Sequence, residues 1–483
     1  MRKSINTVFH AMAFTLCLAA LSTSSWAAEE STDDSDDTDK PAQAADKPVP
    51  GMLDNGMISL TKMAPPFTRV FDYSGDISNR MTMFGDLNGR RTDWYDNGFS
   101  LDMQLTQIYQ GVTSGGSITG NGNGAYNGLF EMNAYLDTAK LGWWSGGMLA
   151  ATLQSSWGTP LSSEAGNISP VNMTPLWPVP FDNTTRVTEY YLTQGLPKNR
   201  LLIIGRIDAT NFLDTNSYAN IPEAQFFNGS LNNDLLWGNM LTFSTYAALA
   251  IIPINKSWTI ATGAWTPSTQ PDDYGGDWSN WAAVINPIFS YHVGGKPGKA
   301  QVTYAYSSAD TAPFNPIHAP GPLADIIGSH PGIPVHSSNW LITFNLEQHL
   351  WTPGGDANYA EGTQDFFNNP PGLGLFYRFG YMPNDRNSFN MTMSGGLGSR
   401  GMIPGRPNDR MGIGIYAMFA SNDFKDASIV LDLLLEDEVG LEAYYNFAIT
   451  PWALLSADVQ WVNQGLSTSK NAWVMGTRLT LRF

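Results

Sequence analysis

The chain has 483 residues, with 26 Lys and Arg against 43 Asp and Glu. This acidic balance argues against nucleic-acid binding, which requires a basic surface to face the phosphates. The single cysteine also argues against a disulfide framework or a thiolate metal site.

The N-terminus has the features of a secretory signal peptide. Two basic residues precede an apolar run at 8–21, and Ser25 and Ala27 are the small residues that a signal peptidase reads. We predict that residues 1–27 are removed by cleavage after Ala27. The only cysteine, Cys17, lies in the apolar run, which is too short to span a membrane as a helix. The mature chain keeps 24 basic and 43 acidic residues, a net charge of −19.

Two segments follow before any strand pattern begins. Residues 28–50 are rich in Asp and Glu and poor in apolar residues, so we expect a disordered acidic tail in the periplasm. Residues 51–97 are mixed in composition and are predicted to be a periplasmic N-terminal segment. Within it, Asp86 to Asn97 is predicted to form a short helix with Asp86 as its N-cap.

From Gly98 onward, apolar and polar residues alternate as they do in β-strands. Residues 99–106 are apolar at odd positions, and residues 130–137 are apolar at even positions. About 16 strands are predicted, close to the length that a tilted membrane strand needs. The first two strands contain residues 99–106 and 130–137, and the barrel begins at residue 98. The other fourteen strands are 146–157, 185–196, 199–207, 238–252, 257–266, 282–292, 299–308, 339–350, 372–382, 388–397, 411–420, 439–449, 452–463 and 471–483.

The last strand indicates how the sheet ends. Trp473 to Phe483 is mostly apolar at odd positions, whereas Arg478, Thr480 and Arg482 are polar. An open sheet edge in lipid would leave unpaired N–H and C=O groups, so the final strand must pair with the first. Residues 98–483 are therefore predicted to form an all-β, transmembrane antiparallel barrel. A soluble β-sandwich or propeller would show similar alternation and is the alternative.

The connections mostly alternate between tight turns and long loops, as in outer-membrane barrels. The 158–184, 208–237 and 309–338 links are long and are expected outside the cell. The region 350–440 breaks this rule, because the long 351–371 link falls on the periplasmic side and the tight 382–386 link falls outside. We therefore expect a miscounted strand there. Ala427 to Glu436 is assigned to a helix within a loop.

The wet inner face of a barrel decides which solutes pass, so polar residues on that face are candidate pore-lining residues. Clustered acids beside arginines would orient polar solutes, and carboxylates and amides would accept hydrogen bonds from hydroxyl groups. The candidates are Asp102, Glu131, Asn133, Asp137, Glu189, Arg206, Asp208, Glu347, Arg378, Glu442, Tyr444, Asp458, Gln460 and Arg478.

Most of the 16 Trp and 19 Tyr are expected in the two aromatic girdles at the membrane surfaces. A minority suit stacking on sugar rings inside the barrel. These are Tyr135, Tyr191, Tyr416 and Tyr444 on strands, and Trp177, Phe226, Phe227 and Trp237 in loops long enough to fold inward.

Signals for catalysis are weak, and neither a metal site nor a cofactor is expected. A barrel hydrolase would need Ser and His adjacent on one strand face, and Ser290 with His292 is the only such pair on a clear strand. An enzyme acting on lipid is therefore kept as a remote alternative.

Several blocks of the sequence resemble the OprB-type carbohydrate-selective porin family, in the same order along the chain. The blocks are 85–92, 97–102, 136–142, 202–208 with Asn211 and Phe212, 401–409, 442–447 and 450–460. The family often has Trp and Gly where this chain has Leu87 and Asn88, and the acidic tail is not part of its pattern.

The resemblance implies a 16-stranded porin in the outer membrane of a Gram-negative bacterium, with both termini in the periplasm. It implies passive diffusion of monosaccharides and similar solutes through a polar and aromatic constriction. Arg206, Asp208, Glu442 and Gln460 match the family blocks and carry over as wall candidates. The preferred sugar and a monomeric or homotrimeric state stay open. A general, cation-favouring pore is the runner-up, because an acidic wall would concentrate cations.

Overall fold

The computed structural model describes eleven parts of the chain, which together contain almost the whole predicted barrel. They are residues 73–117, 124–161, 165–180, 182–241, 244–267, 278–311, 336–355, 371–425, 436–463, 465 and 469–483. The predicted signal peptide, the acidic tail, residues 51–72 and nearly all of the predicted 427–436 helix lie outside these parts. Within them, none of the helices is long and apolar enough to cross a membrane.

Sixteen antiparallel strands form one closed barrel in which each strand pairs with its neighbours in sequence. The strands are β1 Phe99–Ser117, β2 Ala125–Asp137, β3 Gly147–Gly158, β4 Thr185–Leu196, β5 Arg200–Ile207, β6 Thr245–Pro253, β7 Trp258–Trp265, β8 Ala282–Val293, β9 Lys296–Ser307, β10 Asn339–Trp351, β11 Gly372–Tyr381, β12 Phe389–Arg400, β13 Arg410–Ala420, β14 Glu438–Thr450, β15 Ala453–Asn463 and β16 Ser469–Arg482. The predicted fold class and the strand count are confirmed.

Closure occurs between the first and last strands, as predicted. β1 pairs with β16 from Gln104 opposite Arg482 to Ser117 opposite Ser469. The backbone N–H of Phe483 continues this seam by donating to the Met103 carbonyl at 2.9 Å. Pairing across the seam leaves neither strand with a free edge, which is the condition for spanning lipid as a sheet.

Burial follows the predicted alternation in these strands. In β1, even-numbered residues from Ser100 to Gln110 are buried towards the lumen. In β16, Arg478, Thr480 and Arg482 are buried, whereas Trp473 and Met475 are exposed on the outer wall. The period of two therefore separates an apolar outer surface from a polar interior.

The expectation of a miscounted strand at 350–440 is wrong, because every strand predicted there is present. The first residue of β1 and the last residue of β16 lie at the same end of the barrel, which we call the turn end. We call the opposite end the loop end. The 352–371 link joins β10 to β11 at the turn end, and the short 382–388 link joins β11 to β12 at the loop end. The rule of short turns therefore fails once, and the count of strands is correct.

The predicted start of the 238–252 strand is also wrong. β6 begins at Thr245, and a 3-10 helix, Leu235–Asn239, lies shortly before it. The apolar residues there are buried because they belong to a segment folded inside the barrel, so their burial does not indicate a strand. Two short helices, α2 Thr210–Leu213 and α3 Gly229–Asn232, lie in the same segment.

The N-terminal helix is shorter than predicted. α1 spans Arg90–Asp96, and its N-cap residue is Gly89 rather than Asp86. The Asp86 carboxylate instead accepts hydrogen bonds from the backbone N–H and the hydroxyl of Thr92, at 2.8 and 2.9 Å. It thus satisfies a first-turn donor from outside the usual capping position.

A disulfide across the seam tests this closure. Leu105 faces Leu481 across the seam, so the double variant Leu105→Cys, Leu481→Cys should form a disulfide on oxidation. The denatured, unreduced chain should then migrate faster in electrophoresis than the reduced chain. Leu105→Cys with Thr480→Cys is the control, because that pair lies on opposite faces. Equal cross-linking of the two pairs would contradict the register.

Candidate functional site

Residues 208–241 do not extend away from the barrel but cross its lumen; we call them the first inserted segment. Their contacts reach inward-facing side chains of β9, β10, β11, β14 and β16, which lie around most of the wall. The segment therefore narrows the bore from within.

A buried arginine holds the segment to β11. The Arg378 guanidinium donates to Asp214 Oδ1 at 3.0 Å, and to the carbonyls of Leu231 and Ala219 at 3.0 and 2.6 Å. Asp214 Oδ1 also accepts from the Asn345 amide at 2.8 Å. Arg378 thus binds three residues of the first inserted segment, which are Asp214, Ala219 and Leu231. Its charge is paired with Asp214 and is not available to a solute.

A carboxylate holds the segment to β14. Glu442 accepts from the backbone N–H groups of Phe227 and Asn228 at 2.5 and 2.9 Å. The Asn228 amide in turn donates to Gln460 Oε1 on β15 at 3.2 Å. Both oxygens of Glu442 are therefore occupied by loop backbone, as bidentate anion binding by adjacent N–H groups requires.

Glu347 and Arg478 complete the attachment on opposite walls. Glu347 accepts from the N–H and hydroxyl of Ser217 at 2.6 and 2.9 Å. Arg478 donates to the carbonyls of Pro222 and Gln225 at 2.5 and 2.7 Å, and its guanidinium lies 3.9 Å from the ring centroid of Phe227.

A second inserted segment, residues 165–180, packs on the first near the loop end. Its Ile168 and Ser169 N–H groups donate to the Glu438 carboxylate at 2.6 and 2.9 Å. The two segments are also joined directly, because the Gly229 N–H donates to the Pro170 carbonyl at 2.8 Å. Together they block one side of the lumen.

Glycines on the inner face make room for the first inserted segment. A Cβ atom on Gly374 would lie 2.0 Å from the Tyr218 ring, and one on Gly380 would lie 2.1 Å from Asp234 Oδ2. The first inserted segment therefore lies so close to the wall that only glycine fits at these two positions. The blocked side is thus the side of β11 and its neighbours.

A cavity of about 50 Å³ remains between the first inserted segment and the opposite wall, which is formed by β2, β3 and β4; we call it the passage. Wall residues contribute carboxylates, amides and hydroxyls, and the two segments contribute further polar groups and aromatic rings. The lining residues are Glu131, Asn133, Thr152, Gln154, Trp177, Thr188, Glu189, Tyr191, Asp208, Thr210, Asn211, Phe212, Asn220, Pro222, Glu223 and Asn233.

The charges that line the passage are of one sign. Glu131 and Glu189 are on the wall, Asp208 and Glu223 are on the first inserted segment, and the lining residues in the described part of the chain include neither Lys nor Arg. Glu131 is repelled by Glu223, and Glu189 is repelled by Asp208. An anion that enters the passage therefore meets carboxyl groups and no positive side chain among the described lining residues.

Four of the predicted site residues face this passage, namely Glu131, Asn133, Glu189 and Asp208. Five others attach the inserted segments: Glu347, Arg378, Glu442, Gln460 and Arg478. Sequence reasoning placed both groups on the wet face, but it did not separate residues open to the passage from residues occupied by the segments.

The remaining predicted residues have other surroundings. Asp137 caps the link after β2, accepting from the Ala139 and Lys140 N–H groups at 3.0 and 3.2 Å. Asp102 lies 4.0 Å from Arg482 at the seam. Asp458 accepts from the Gln460 amide at 2.9 Å, and the Tyr444 ring packs on Phe226 with ring centroids 4.8 Å apart.

Arg206 lies on the opposite face from the one predicted. It pairs in register with Tyr190 and Tyr246, and Tyr190 is 43% exposed on the outer wall, as is Ile204 (47%) two residues earlier on the same strand. Its Nε donates to Ser244 Oγ at 2.7 Å, and the Tyr246 ring covers the guanidinium. The alternation in β5 therefore directs Arg206 outward and Asp208, beyond the strand end, inward.

Of the eight aromatic residues proposed for the lumen, Trp177 and Tyr191 line the passage. Phe226, Phe227, Trp237 and Tyr416 are buried in the interface between wall and segments. Phe212 lines the passage but was not predicted, and neither were Gln154 and Glu223. The polar alternation of β3 could have indicated Gln154, whereas only the path of the segment reveals Phe212 and Glu223.

A closed 16-stranded barrel with an apolar exterior and a lumen narrowed by its own loops defines a diffusion channel, that is, a porin. The comparisons with known proteins agree. Residues 122–483 match the family model described as carbohydrate-selective porin, OprB family, and the chain belongs to that family. It is therefore a porin of the Gram-negative outer membrane.

Individual relatives are distant but similar over most of their length. Porin B of Pseudomonas aeruginosa is 22% identical over 84% of this chain and 92% of its own. The putative porin QuiX of Acinetobacter baylyi is 20% identical over 89% and 98%. The high-pH structure of Pseudomonas putida OprB superposes with a TM-score of 0.71 at 21% identity, over 85% of this chain and 100% of that one.

Removal of Arg378 tests the attachment of the first inserted segment. Arg378→Ala leaves the buried Asp214 carboxylate without its charge partner and two carbonyls without their donor, so we expect a loss of about 3–5 kcal/mol in stability. Single-channel conductance should rise, because the segment is released from the wall. Arg90→Ala is the control, since Arg90 is an exposed residue of α1. An unchanged conductance and unfolding temperature in Arg378→Ala would contradict this role.

Asp234, in the first inserted segment, should make stability depend on pH. Burial, and then the charge of Asp214, raises its pKa from 3.8 to about 6, although Thr392, Leu236 and Arg378 oppose the shift. The folded protein thus holds this proton more tightly than the unfolded chain. The stabilisation that this tighter proton binding provides is complete below about pH 4 and is lost as the pH rises through about 6.

We therefore expect wild-type stability to fall by at most about 3 kcal/mol over this range, and Asp234→Asn to remove that part of the fall. The stability at each pH is measured as the temperature at which the electrophoretic mobility of the folded barrel changes to that of the unfolded chain. The exposed Asp423→Asn should behave as wild type. The same pH dependence in Asp234→Asn and wild type would refute the role of this carboxyl.

Proposed function

We propose that monosaccharides and similar small polar solutes cross the outer membrane through the passage, driven only by their concentration gradient. One observation carries the proposal: acceptor groups and aromatic rings line the same narrow space. Hydroxyl groups of a sugar donate to carboxylates and amides, and its C–H faces pack on aromatic rings. Glu131, Asn133, Glu189 and Asp208 are the solute-contacting residues, together with Trp177, Tyr191 and Phe212.

The remaining candidate wall residues are proposed to act on solutes indirectly. Glu347, Arg378, Glu442, Gln460 and Arg478 fix the inserted segments and so set the width of the passage. We propose the orientation usual for such barrels, with the turn end and both chain termini in the periplasm. A homotrimer stays a prediction, and electrophoresis of the unheated protein tests it.

A general pore that favours cations is the second candidate, supported by the four carboxylates of the passage. A sugar channel has a binding site that saturates, whereas a general pore sorts solutes by size and charge alone. The two candidates therefore differ in a measurable property, namely the concentration dependence of block.

Bilayer recordings with glucose and liposome swelling with a panel of neutral sugars make this distinction. We expect glucose to reduce the ion current in a saturable way, and Trp177→Ala to weaken the block several-fold through loss of ring stacking. Trp258→Ala, on the outer wall, is the control. Current that is insensitive to every sugar would exclude the carbohydrate channel and favour the general pore.

We propose that transport involves no catalysis. Ser290 and His292 lie on one face of β8, and both side chains are exposed to solvent. An acyl-transfer site needs a base held in place by a third group. Lipid hydrolysis by the purified protein that disappears in Ser290→Ala would contradict the proposal.

A further inference from the structure

We propose that the passage selects sugars by charge, binding hydroxylated amines such as amino sugars in preference to neutral sugars and rejecting sugar acids. This inference rests on the proposed function and adds a specificity to it. It depends on the sign of the charges in the passage and on which hydrogen-bonding atoms remain open to a solute.

The charges come from both sides of the passage. Glu131 and Glu189 project from the wall, and Asp208 and Glu223 belong to the first inserted segment. Glu131 also repels Glu189, so repulsion links all four carboxylates around the space that a solute would occupy. A positive group between them would reduce this repulsion, whereas a carboxylate or phosphate would increase it.

The arginines near these charges are not among the residues that line the passage. Arg378 donates to Asp214 and to two carbonyls on the blocked side of the lumen. Arg478 lies behind Pro222, bound to that carbonyl, and attracts Glu223 from that side. Arg186 pairs in register with Gln154 and is exposed at the loop end, outside the set of residues that line the passage.

One buried hydrogen-bonding atom that lacks a partner beside the passage is an acceptor, Oε1 of Gln154. Glu131 accepts from the amide groups of Gln104 and Gln154, at 3.1 and 3.0 Å. These bonds fix Gln154 with its NH₂ group towards Glu131. Its Oε1 has no donor within the described part of the chain, although the residue is only 7% exposed and lines the passage. A buried acceptor without a donor is costly, so a solute that donates here gains free energy.

An ammonium group matches this arrangement better than a hydroxyl group does. It carries three donors, has no acceptor that needs a partner, and brings the opposite charge. The rings of Trp177, Tyr191 and Phe212 favour the same solute, because aromatic faces attract cations and also pack against the C–H groups of a sugar ring. A sugar acid is negatively charged and has no ammonium group, so neither the carboxylates nor the aromatic rings favour it.

Block of potassium current by three matched sugars tests the proposal. Glucosamine, glucose and glucuronate are compared at a pH of about 7, where the amine is mostly charged. We expect glucosamine to half-block the current at a concentration at least about threefold lower than glucose, and glucuronate to block least. Glu189→Gln should bring the three values together, because Gln Oε1 can still accept from the Asp208 N–H while the charge is lost.

Asp423→Asn is the matched control, since it removes one exposed carboxylate outside the passage. Glu131→Gln is a second test if Glu189→Gln does not fold, and the wild-type order tests the proposal without any variant. Equal block by glucosamine and glucose in wild type, or an unchanged ratio in folded Glu189→Gln, would overturn the charge selection alone. Absence of block by all three sugars would instead overturn the proposed sugar channel.

Discussion

The structure depends on the mutual satisfaction of two sets of buried polar groups, the inward side chains of the wall and the backbone of the first inserted segment. A loop with little regular structure exposes N–H and C=O groups that need partners when water is excluded. Glu442 supplies acceptors for two adjacent N–H groups, and Arg378 supplies donors for two carbonyls. Neither the wall nor the segment would be stable in this form without the other.

This constraint also decides which side of the lumen is filled. On the β11 side, glycines such as Gly374 and Gly380 allow the segment to lie directly on the wall, so that side is filled. On the side of β2 to β4, the wall carries polar side chains and the segment stands away from it. The asymmetry between a glycine-rich face and a polar face therefore places the cavity, and the residues left at the open face give it an acidic lining.

Much of this architecture could be predicted from the sequence. Alternation in strands such as β1 and β16 is strong because one face meets lipid and the other meets water, and closure follows from the cost of an unpaired edge. The strand predicted at 238–252 was started too early, because Met240 and Leu241 are apolar for packing in the first inserted segment, a tertiary effect that periodicity does not reveal. Arg206 was placed on the wet face and carried over from a matching family block, although its position in β5 directs it outward. The pairing of Arg378 with loop carbonyls required the path of the segment itself.

The most direct test of the account is the accessibility of single cysteines to a charged thiol reagent during current recording, since the chain's only cysteine lies in the predicted signal peptide. Asn211 lines the passage, whereas Ser394 is buried on the inner face of β12. Our account predicts that the reagent modifies Asn211→Cys and reduces the ion current, and that Ser394→Cys does not react. Rapid reaction at Ser394→Cys, with an unmodified and fully conducting Asn211→Cys channel, would show that ions take another path and would contradict the central claim.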